Sequence, residues 1–169
     1  MSKQPTDDPF REVFVEYGDF DRYQGGFDLT GPLDADGRFL YRLVGLAREG
    51  DADFDIADDR LMLAPSLTWR PRAETSITFI GLAQQDETDG NVAVVNRNGQ
   101  AFDIRASDPG YDRQRQDQYQ IGYRLNHELD DVWRFGQSLR YGYFDLDTRY
   151  LTGGVAGGGW DGDTYHRGS

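Results

Sequence analysis

The chain has 169 residues, a formal net charge of −12 and no cysteine. The surplus of carboxylates argues against a nucleic-acid partner, because phosphate binding needs clustered lysine and arginine side chains. Without cysteine there are neither disulfides nor thiolate metal sites. No stretch approaches the roughly 18 apolar residues of a membrane helix, although barrel strands, which alternate apolar and polar residues, need no such stretch.

Alternation with a period of two predicts about seven β-strands, and no segment shows helical periodicity with caps. The clearest strand is 60–70, whose odd positions are Leu61, Leu63, Pro65, Leu67 and Trp69. The predicted strands cover residues 10–18, 26–33, 38–48, 60–70, 75–84, 117–129 and 132–144. The sequence therefore predicts an all-β chain.

The connections between these strands alternate in length. Residues 34–37, 71–74 and 130–131 have the composition of tight turns, whereas 49–59, 85–116 and the stretch from about 146 are longer and polar. The connection at 18–25 is shorter but falls in the same phase as the long ones. Short turns at one end and long loops at the other indicate an antiparallel up-and-down meander, the layout of outer-membrane barrels with the short turns in the periplasm.

The two rows of each strand must face different surroundings. Arg42, Arg124, Arg134 and Arg140 all lie on polar rows, and an arginine on a lipid face near the membrane midplane costs about 2–4 kcal/mol. The polar rows therefore face a wet lumen or bulk water, and the apolar rows face lipid or a protein core. Alternation alone leaves both choices open. Tryptophans near two short turns, Trp69 and Trp133, fit either a membrane-interface girdle or the edge of a core.

Dispersed motifs resemble the TonB-dependent siderophore receptors, closest to the hydroxamate or ferrichrome-type subgroup. Residues 2–13 (SKQPTDDPFREV) resemble the end of the plug domain and the entry into the first barrel strand, and later motifs follow in the family's order. These later motifs are 23–33 (YQGGFDLTGPL), 41–48 (YRLVGLAR), 63–71 (LAPSLTWRP), 75–78 (TSIT), 109–113 (PGYDR), 117–123 (DQYQIGY), 127–129 (HEL), Trp133 and 138–141 (SLRY).

The resemblance implies a fold, a location and a function. Residues 1–9 would end a plug domain and residues 10–169 would form the first strands of a 22-stranded transmembrane barrel. The signal peptide, the energy-coupling box, most of the plug and the later strands are expected outside this sequence. The whole protein would be a bacterial outer-membrane receptor that imports ferric siderophores without covalent chemistry. Its partners would be the siderophore, outer-membrane lipid and the TonB energy-coupling complex, which acts through the N-terminal region, and it would need no cofactor.

In such receptors the siderophore binds between the plug and aromatic side chains of the wall and outer loops. The loop stretch 86–95 (DETDGNVAVV) has no aromatic residue, which departs from the family and puts a ferrichrome-like ligand in doubt. Each remaining candidate can instead be a loop-packing residue, a girdle residue or a solvated charge. The candidates are the aromatic residues Phe102, Tyr111, Tyr143, Tyr150 and Trp160 and the cations Arg97 and Arg105.

Other motifs give no enzyme or metal site. The acidic stretch 50–59 lacks the glycine and the final glutamate of an EF-hand, and the two histidines, His127 and His166, lie in different elements. The glycine-rich stretch 153–159 has no lysine, unlike a phosphate-binding loop. Two alternatives to a working receptor stay open: a soluble secreted β-sandwich that binds a ligand, whose apolar rows pack sheet on sheet, and a nonfunctional truncated receptor.

Overall fold

The computed structural model describes residues 3–19, 21–52, 56–88, 94–97, 100–105, 110–149, 159–160 and 165–166, and the regular structure in them is β. None of the described residues belongs to a helix long and apolar enough to cross a membrane. The strands are β1 (Phe10–Tyr17), β2 (Tyr23–Pro32), β3 (Phe39–Glu49), β4 (Asp51–Ala52), β5 (Ile56–Arg72), β6 (Thr75–Thr88), β7 (Val94–Arg97), β8 (Gln100–Arg105), β9 (Arg113–Glu128), β10 (Arg134–Arg149), β11 (Gly159–Trp160) and β12 (Tyr165–His166).

Seven long strands form one antiparallel sheet in the order β1-β2-β3-β5-β6-β9-β10. The short β4 pairs with β5, and two further hairpins, β7–β8 and β11–β12, form sheets of their own. Each long strand lies beside the long strand that precedes it in the chain. The predicted meander of about seven antiparallel strands is confirmed.

Aspartates close two of the short turns. The Asp34 carboxylate accepts a hydrogen bond from the Phe39 amide at 2.9 Å. Within the same turn Gly37 has a φ of 64°, a left-handed conformation that glycine adopts without a Cβ penalty. In the turn before β10 one Asp130 oxygen accepts from the amides of Val132 and Trp133, at 2.9 and 2.7 Å. These bonds satisfy backbone donors that the strands leave free and fix the register of each hairpin.

The register gives the sheet two unlike faces. Thr30, Arg42, Ser66, Ile80 and Gly122 are successive partners across five strands and so share one face, which is called the polar face below. Because side chains alternate along a strand, the neighbouring positions share the other face, here called the apolar face. Its central row consists of Phe27, Gly45, Leu63, Ala83, Tyr119 and Tyr143. The four arginines expected on polar rows all lie in the polar-face register.

The apolar face has no second layer upon it in the described part of the chain. Val15 is 85% exposed and Ile121 is 68% exposed, and Leu40, on the opposite face, is the only buried hydrophobic residue among the described side chains. A β-sandwich would bury this face against a second sheet. The described architecture is therefore a single two-faced sheet rather than the sandwich kept open as an alternative.

Several strands extend further toward the long loops than the alternation predicted. β5 begins at Ile56 rather than residue 60, β6 ends at Thr88 rather than residue 84, and β10 ends at Arg149 rather than residue 144. Most residues in these extensions are polar and neither row is consistently apolar, so the apolar–polar alternation disappears while the backbone ladder continues. The 85–116 connection also contains the β7–β8 hairpin, which the sequence pattern did not reveal.

Candidate functional site

The polar face is covered in part by residues 3–9, called the N-terminal segment below. This segment precedes β1 and crosses β2, β3 and β5, making side-chain hydrogen bonds to all three strands. The sheet residues that it contacts are far apart in the sequence, but the pairing of β2, β3 and β5 places them close together on one face. They are Asp28, Thr30, Arg42, Ser66 and Arg70.

A buried carboxylate lies at the centre of these contacts. Asp28 is 4% exposed and accepts hydrogen bonds from Arg42 Nε at 2.8 Å, Arg42 Nη2 at 2.7 Å and Lys3 Nζ at 2.8 Å. Arg42 Nη1 also donates to the Gln4 carbonyl at 3.0 Å. Two cations compensate the carboxylate, because a buried charge is tolerated only when it is paired and hydrogen-bonded.

Hydroxyl groups hold the rest of the N-terminal segment. The Thr6 amide donates to Thr30 Oγ1 at 3.0 Å, and Thr30 in turn donates to the Tyr41 carbonyl at 2.8 Å. The Ser66 hydroxyl donates to the Lys3 carbonyl at 3.2 Å. Short polar side chains on this face thus provide the donors and acceptors that a crossing backbone requires.

An ion pair fixes the segment near the short-turn end of β5. The Arg70 guanidinium contacts both Asp7 carboxylate oxygens, at 2.5 and 3.1 Å. The hydrogen bond from Arg70 lowers the pKa of Asp7 below its usual value. The Asp7 side chain is 68% exposed, so solvent screens this pair more strongly than the Asp28 network.

Beside Lys3 the polar face contains an unfilled depression of about 360 Å³. Its wall combines apolar side chains, among them Met62 and Leu82, with the amides of Gln118 and Gln120 and the cation Arg140. Within the described part of the chain neither Arg140 nor Arg124 has a carboxylate partner. The amides and the cation in its wall make the depression suited to a polar or anionic group.

Nearer the long loops, ion pairs line the same face. Arg48 Nη2 meets Asp58 at 2.6 Å, and Arg60 Nε meets Asp86 at 2.5 Å. Gln84 also donates to Asp86, at 2.6 Å. Among the described residues no group of three or more histidine or acidic side chains is arranged to hold a metal ion.

Aromatic pairs lie near both ends of the apolar face. Phe39 and Trp69 stack at the short-turn end with ring centroids 6.5 Å apart, and Tyr119 and Tyr143 stack toward the long loops at the same centroid distance. Tyr17 and Tyr23 make a tilted pair at 5.0 Å. Two aromatic levels separated by aliphatic side chains match the interfacial girdles of membrane barrels.

The seven residues predicted to contact a ligand lie in different parts of the chain, although three of them share the β7–β8 hairpin. Tyr111 is half-buried in the turn before β9. Tyr143 lies on the apolar face of β10 with its hydroxyl 3.4 Å from Asp145, which favours the girdle alternative for this residue. Arg97, Phe102, Arg105 and Trp160 belong to the short hairpins, where the structure describes the backbone only, and Tyr150 lies outside the described residues.

Sequence reasoning missed the polar residues that hold the N-terminal segment. It identified residues 2–13 by resemblance but did not pair Lys3 with Asp28 or Asp7 with Arg70, which are 25 and 63 positions apart. The assignment of Arg42 to a polar row was the one sequence signal for this network, because an arginine on the covered face of a sheet needs a hydrogen-bond acceptor nearby.

No protein-family model matches the chain. It is 32% identical over 154 residues to the ferrichrome outer membrane transporter/phage receptor of Escherichia coli, covering 83% of this chain and 20% of that protein. It is 30% identical over 173 residues to the ferrioxamine B receptor of Salmonella typhimurium, covering 96% of this chain and 24% of that one. This chain thus spans about a fifth to a quarter of the length of these curated relatives, which are a transporter and a receptor rather than enzymes.

A solved structure shares the fold. The ferripyoverdine receptor of the outer membrane of Pseudomonas aeruginosa superposes with a TM-score of 0.73 at 18% identity, over 83% of this chain and 20% of that receptor. The sheet therefore has the arrangement of part of a receptor barrel, and the ordered motifs agree with the sequence relatives. The sequence relatives place the chain among the TonB-dependent siderophore receptors of the bacterial outer membrane, of which it spans a part.

Proposed function

We propose that this chain forms part of the wall of an outer-membrane barrel that admits ferric siderophores to the periplasm. The observation that carries the proposal is the division of the sheet into an uncovered apolar face and a polar face crossed by the N-terminal segment. In a closed barrel of 22 strands, the number implied by the family, the apolar face meets lipid and the polar face lines the lumen.

The spacing of the aromatic levels supports a membrane-facing surface. Phe135 and Tyr143 are eight positions apart on β10, a path of about 26 Å at roughly 3.3 Å per residue. A strand tilt of about 40° reduces this to roughly 20 Å along the barrel axis, close to the apolar band of about 25 Å in outer-membrane barrels. The aliphatic residues Ile121 and Leu139 lie between the two levels and are exposed.

We propose the domain division on the same basis. Residues 1–9 end the plug that fills the lumen, and residues 10–169 supply wall strands and outer loops. The contacts of the N-terminal segment with the polar face support this division. In the whole receptor the TonB complex acts through the region preceding the barrel and supplies the energy for uptake.

The transported ligand is a ferric siderophore of the hydroxamate class. This class is suggested by the names of the two relatives, a ferrichrome transporter and a ferrioxamine B receptor. Aromatic and cationic residues at the long-loop end are the proposed contacts, with the girdle role favoured for Tyr143. They are Phe102, Tyr111, Tyr150, Trp160, Arg97 and Arg105.

Iron uptake by cells tests this function. The complete gene is deleted and then restored on a plasmid, and entry of radioactive iron supplied as ferrioxamine B or ferrichrome is measured. Uptake that falls on deletion and returns on complementation supports the proposal. Unchanged uptake of every siderophore tried would refute it and favour a nonfunctional truncated receptor.

A further inference from the structure

We infer that the N-terminal segment is a permanent part of the barrel wall, so that any movement of the plug during uptake begins upstream of Lys3. This inference rests on the proposed function and adds to it the position along the chain at which the fixed wall begins. The boundary between the fixed and the moving parts then lies before residue 3, rather than at residue 9 where the segment enters β1.

The N-terminal segment is bound to three strands of the wall. Its polar contacts reach β2 through Asp28 and Thr30, β3 through Arg42, and β5 through Ser66 and Arg70. These strands are themselves joined by continuous antiparallel ladders. Detaching the segment would require contacts with three strands to break together, whereas a flexible tether would contact the wall at one point.

Detachment of the segment would leave buried polar groups of the wall without their partners. The Asp28 side chain is 6% exposed, and withdrawal of the segment would remove both Lys3 and the backbone acceptor of Arg42. It would also leave Thr30, which is 1% exposed, without the amide donor of Thr6. Buried polar groups that lose their partners are costly, so the wall favours the docked segment in every state of the receptor.

The end of the segment also packs closely against the wall. Pro9 packs so closely on Gly31 of β2 that a Cβ at Gly31 would lie 3.3 Å from Pro9 Cα. The segment therefore combines backbone hydrogen bonds, ion pairs and close packing along its length. This combination is typical of an integral part of a wall rather than a releasable lid.

A reversible cross-link between Thr6 and Thr30 tests the inference. Their hydroxyl oxygens are 3.2 Å apart, so cysteine sulfurs at these positions need only a small shift to reach the disulfide distance of about 2.05 Å. The Thr6→Cys/Thr30→Cys variant is introduced into the whole receptor in cells, together with each single variant. Uptake of iron as ferrioxamine B or ferrichrome is measured after oxidation and again after reduction.

The oxidised double variant is expected to transport iron within about twofold of its reduced form and of the single variants. A large loss of uptake on oxidation that reduction restores would overturn the inference, because the segment would then have to leave the wall. Failure of the disulfide to form would also overturn it, since residues 6 and 30 would not be neighbours. If the wild-type receptor itself transports no iron, the proposed function fails instead.

Hydrogen exchange gives a second measurement that needs no substitution. The Thr6 amide is expected to stay protected in the purified wild-type receptor with and without the iron-loaded siderophore and a TonB fragment, because it donates to buried Thr30. Faster exchange of Thr6 on adding these partners would contradict the inference.

Discussion

Arg42 of β3 donates two hydrogen bonds to Asp28 of β2, its diagonal neighbour in the sheet, with Nε 2.8 Å from one carboxylate oxygen and Nη2 2.7 Å from the other. The same carboxylate receives Lys3 from the N-terminal segment. One acidic side chain therefore joins two wall strands to the chain that crosses them. A bidentate arginine–carboxylate pair of this kind is both strong and geometrically specific.

Replacing Asp28 by asparagine is predicted to destabilise the receptor by about 2–3 kcal/mol, because two cations lose their buried counter-charge. The measurement is urea unfolding of the purified receptor in detergent. Asp36→Asn is the control, since Asp36 pairs with Arg38 at 3.0 Å on the exposed surface of a turn and should contribute less than about 1 kcal/mol. Equal effects of the two substitutions would contradict the proposed importance of burial.

The two faces of β9 are predicted to respond oppositely to a new charge. Ile121→Arg places a cation on the apolar face and should cost about 2–4 kcal/mol if that face meets lipid. Gln118→Arg places the same cation on the polar face opposite Gln84, where water in the lumen can solvate it and it should be tolerated. Folding into lipid vesicles is the measurement, and similar folding of both variants would show that lipid does not cover the apolar face.

Gly122 and Gly136 both lie on the polar face and allow a matched comparison of glycine-to-alanine substitutions. A Cβ at Gly122 would lie 2.5 Å from the Leu139 carbonyl oxygen, whereas a Cβ at Gly136 would meet nothing closer than 3.8 Å. Gly122→Ala is therefore predicted to destabilise the receptor by about 1–3 kcal/mol, and Gly136→Ala to change stability little. Thermal unfolding in detergent would compare them, and a larger loss for Gly136→Ala would contradict the described register of β9 and β10.

The Asp7–Arg70 pair predicts a pH dependence of segment docking. Because Arg70 lowers the pKa of Asp7 in the folded state, the pair stabilises fully above the unfolded pKa of about 3.9 and is lost as pH falls through the lowered folded value. The stability difference between wild type and Asp7→Asn should therefore be small but measurable at pH 7 and vanish in strong acid. A difference that grows on acidification would have the wrong sign.

The strands could be predicted from the sequence where one row of side chains is apolar and the other is mostly polar. Every odd position from 61 to 69 is apolar, and β5 has the expected place and faces. Beyond the apolar band the prediction ended too early, since the paired residues Asp59 and Glu87 belong to strands whose rows are both polar there. The alternation of side chains reveals only the part of a strand that faces lipid or a core on one side. It does not reveal how far the backbone hydrogen bonds between strands continue.

The candidate site was less predictable because its contacts join distant parts of the chain. Lys3, Asp28 and Arg42 are ordinary polar residues in sequence, and only the register of β2 and β3 together with the path of residues 3–9 brings them together. For the proposed ligand contacts, the resemblance to the family supplied the positions.

The pairing order has a consequence for assembly. Since every long strand lies beside its predecessor, the wall can grow by adding one hairpin at a time, and each addition closes only a short stretch of chain. The exception is the junction of β6 with β9, where 24 residues, from 89 to 112, separate the two partners. That junction carries the largest loop-closure entropy among the described long-strand pairings, so we expect its pairing to form later than that of the neighbouring hairpins.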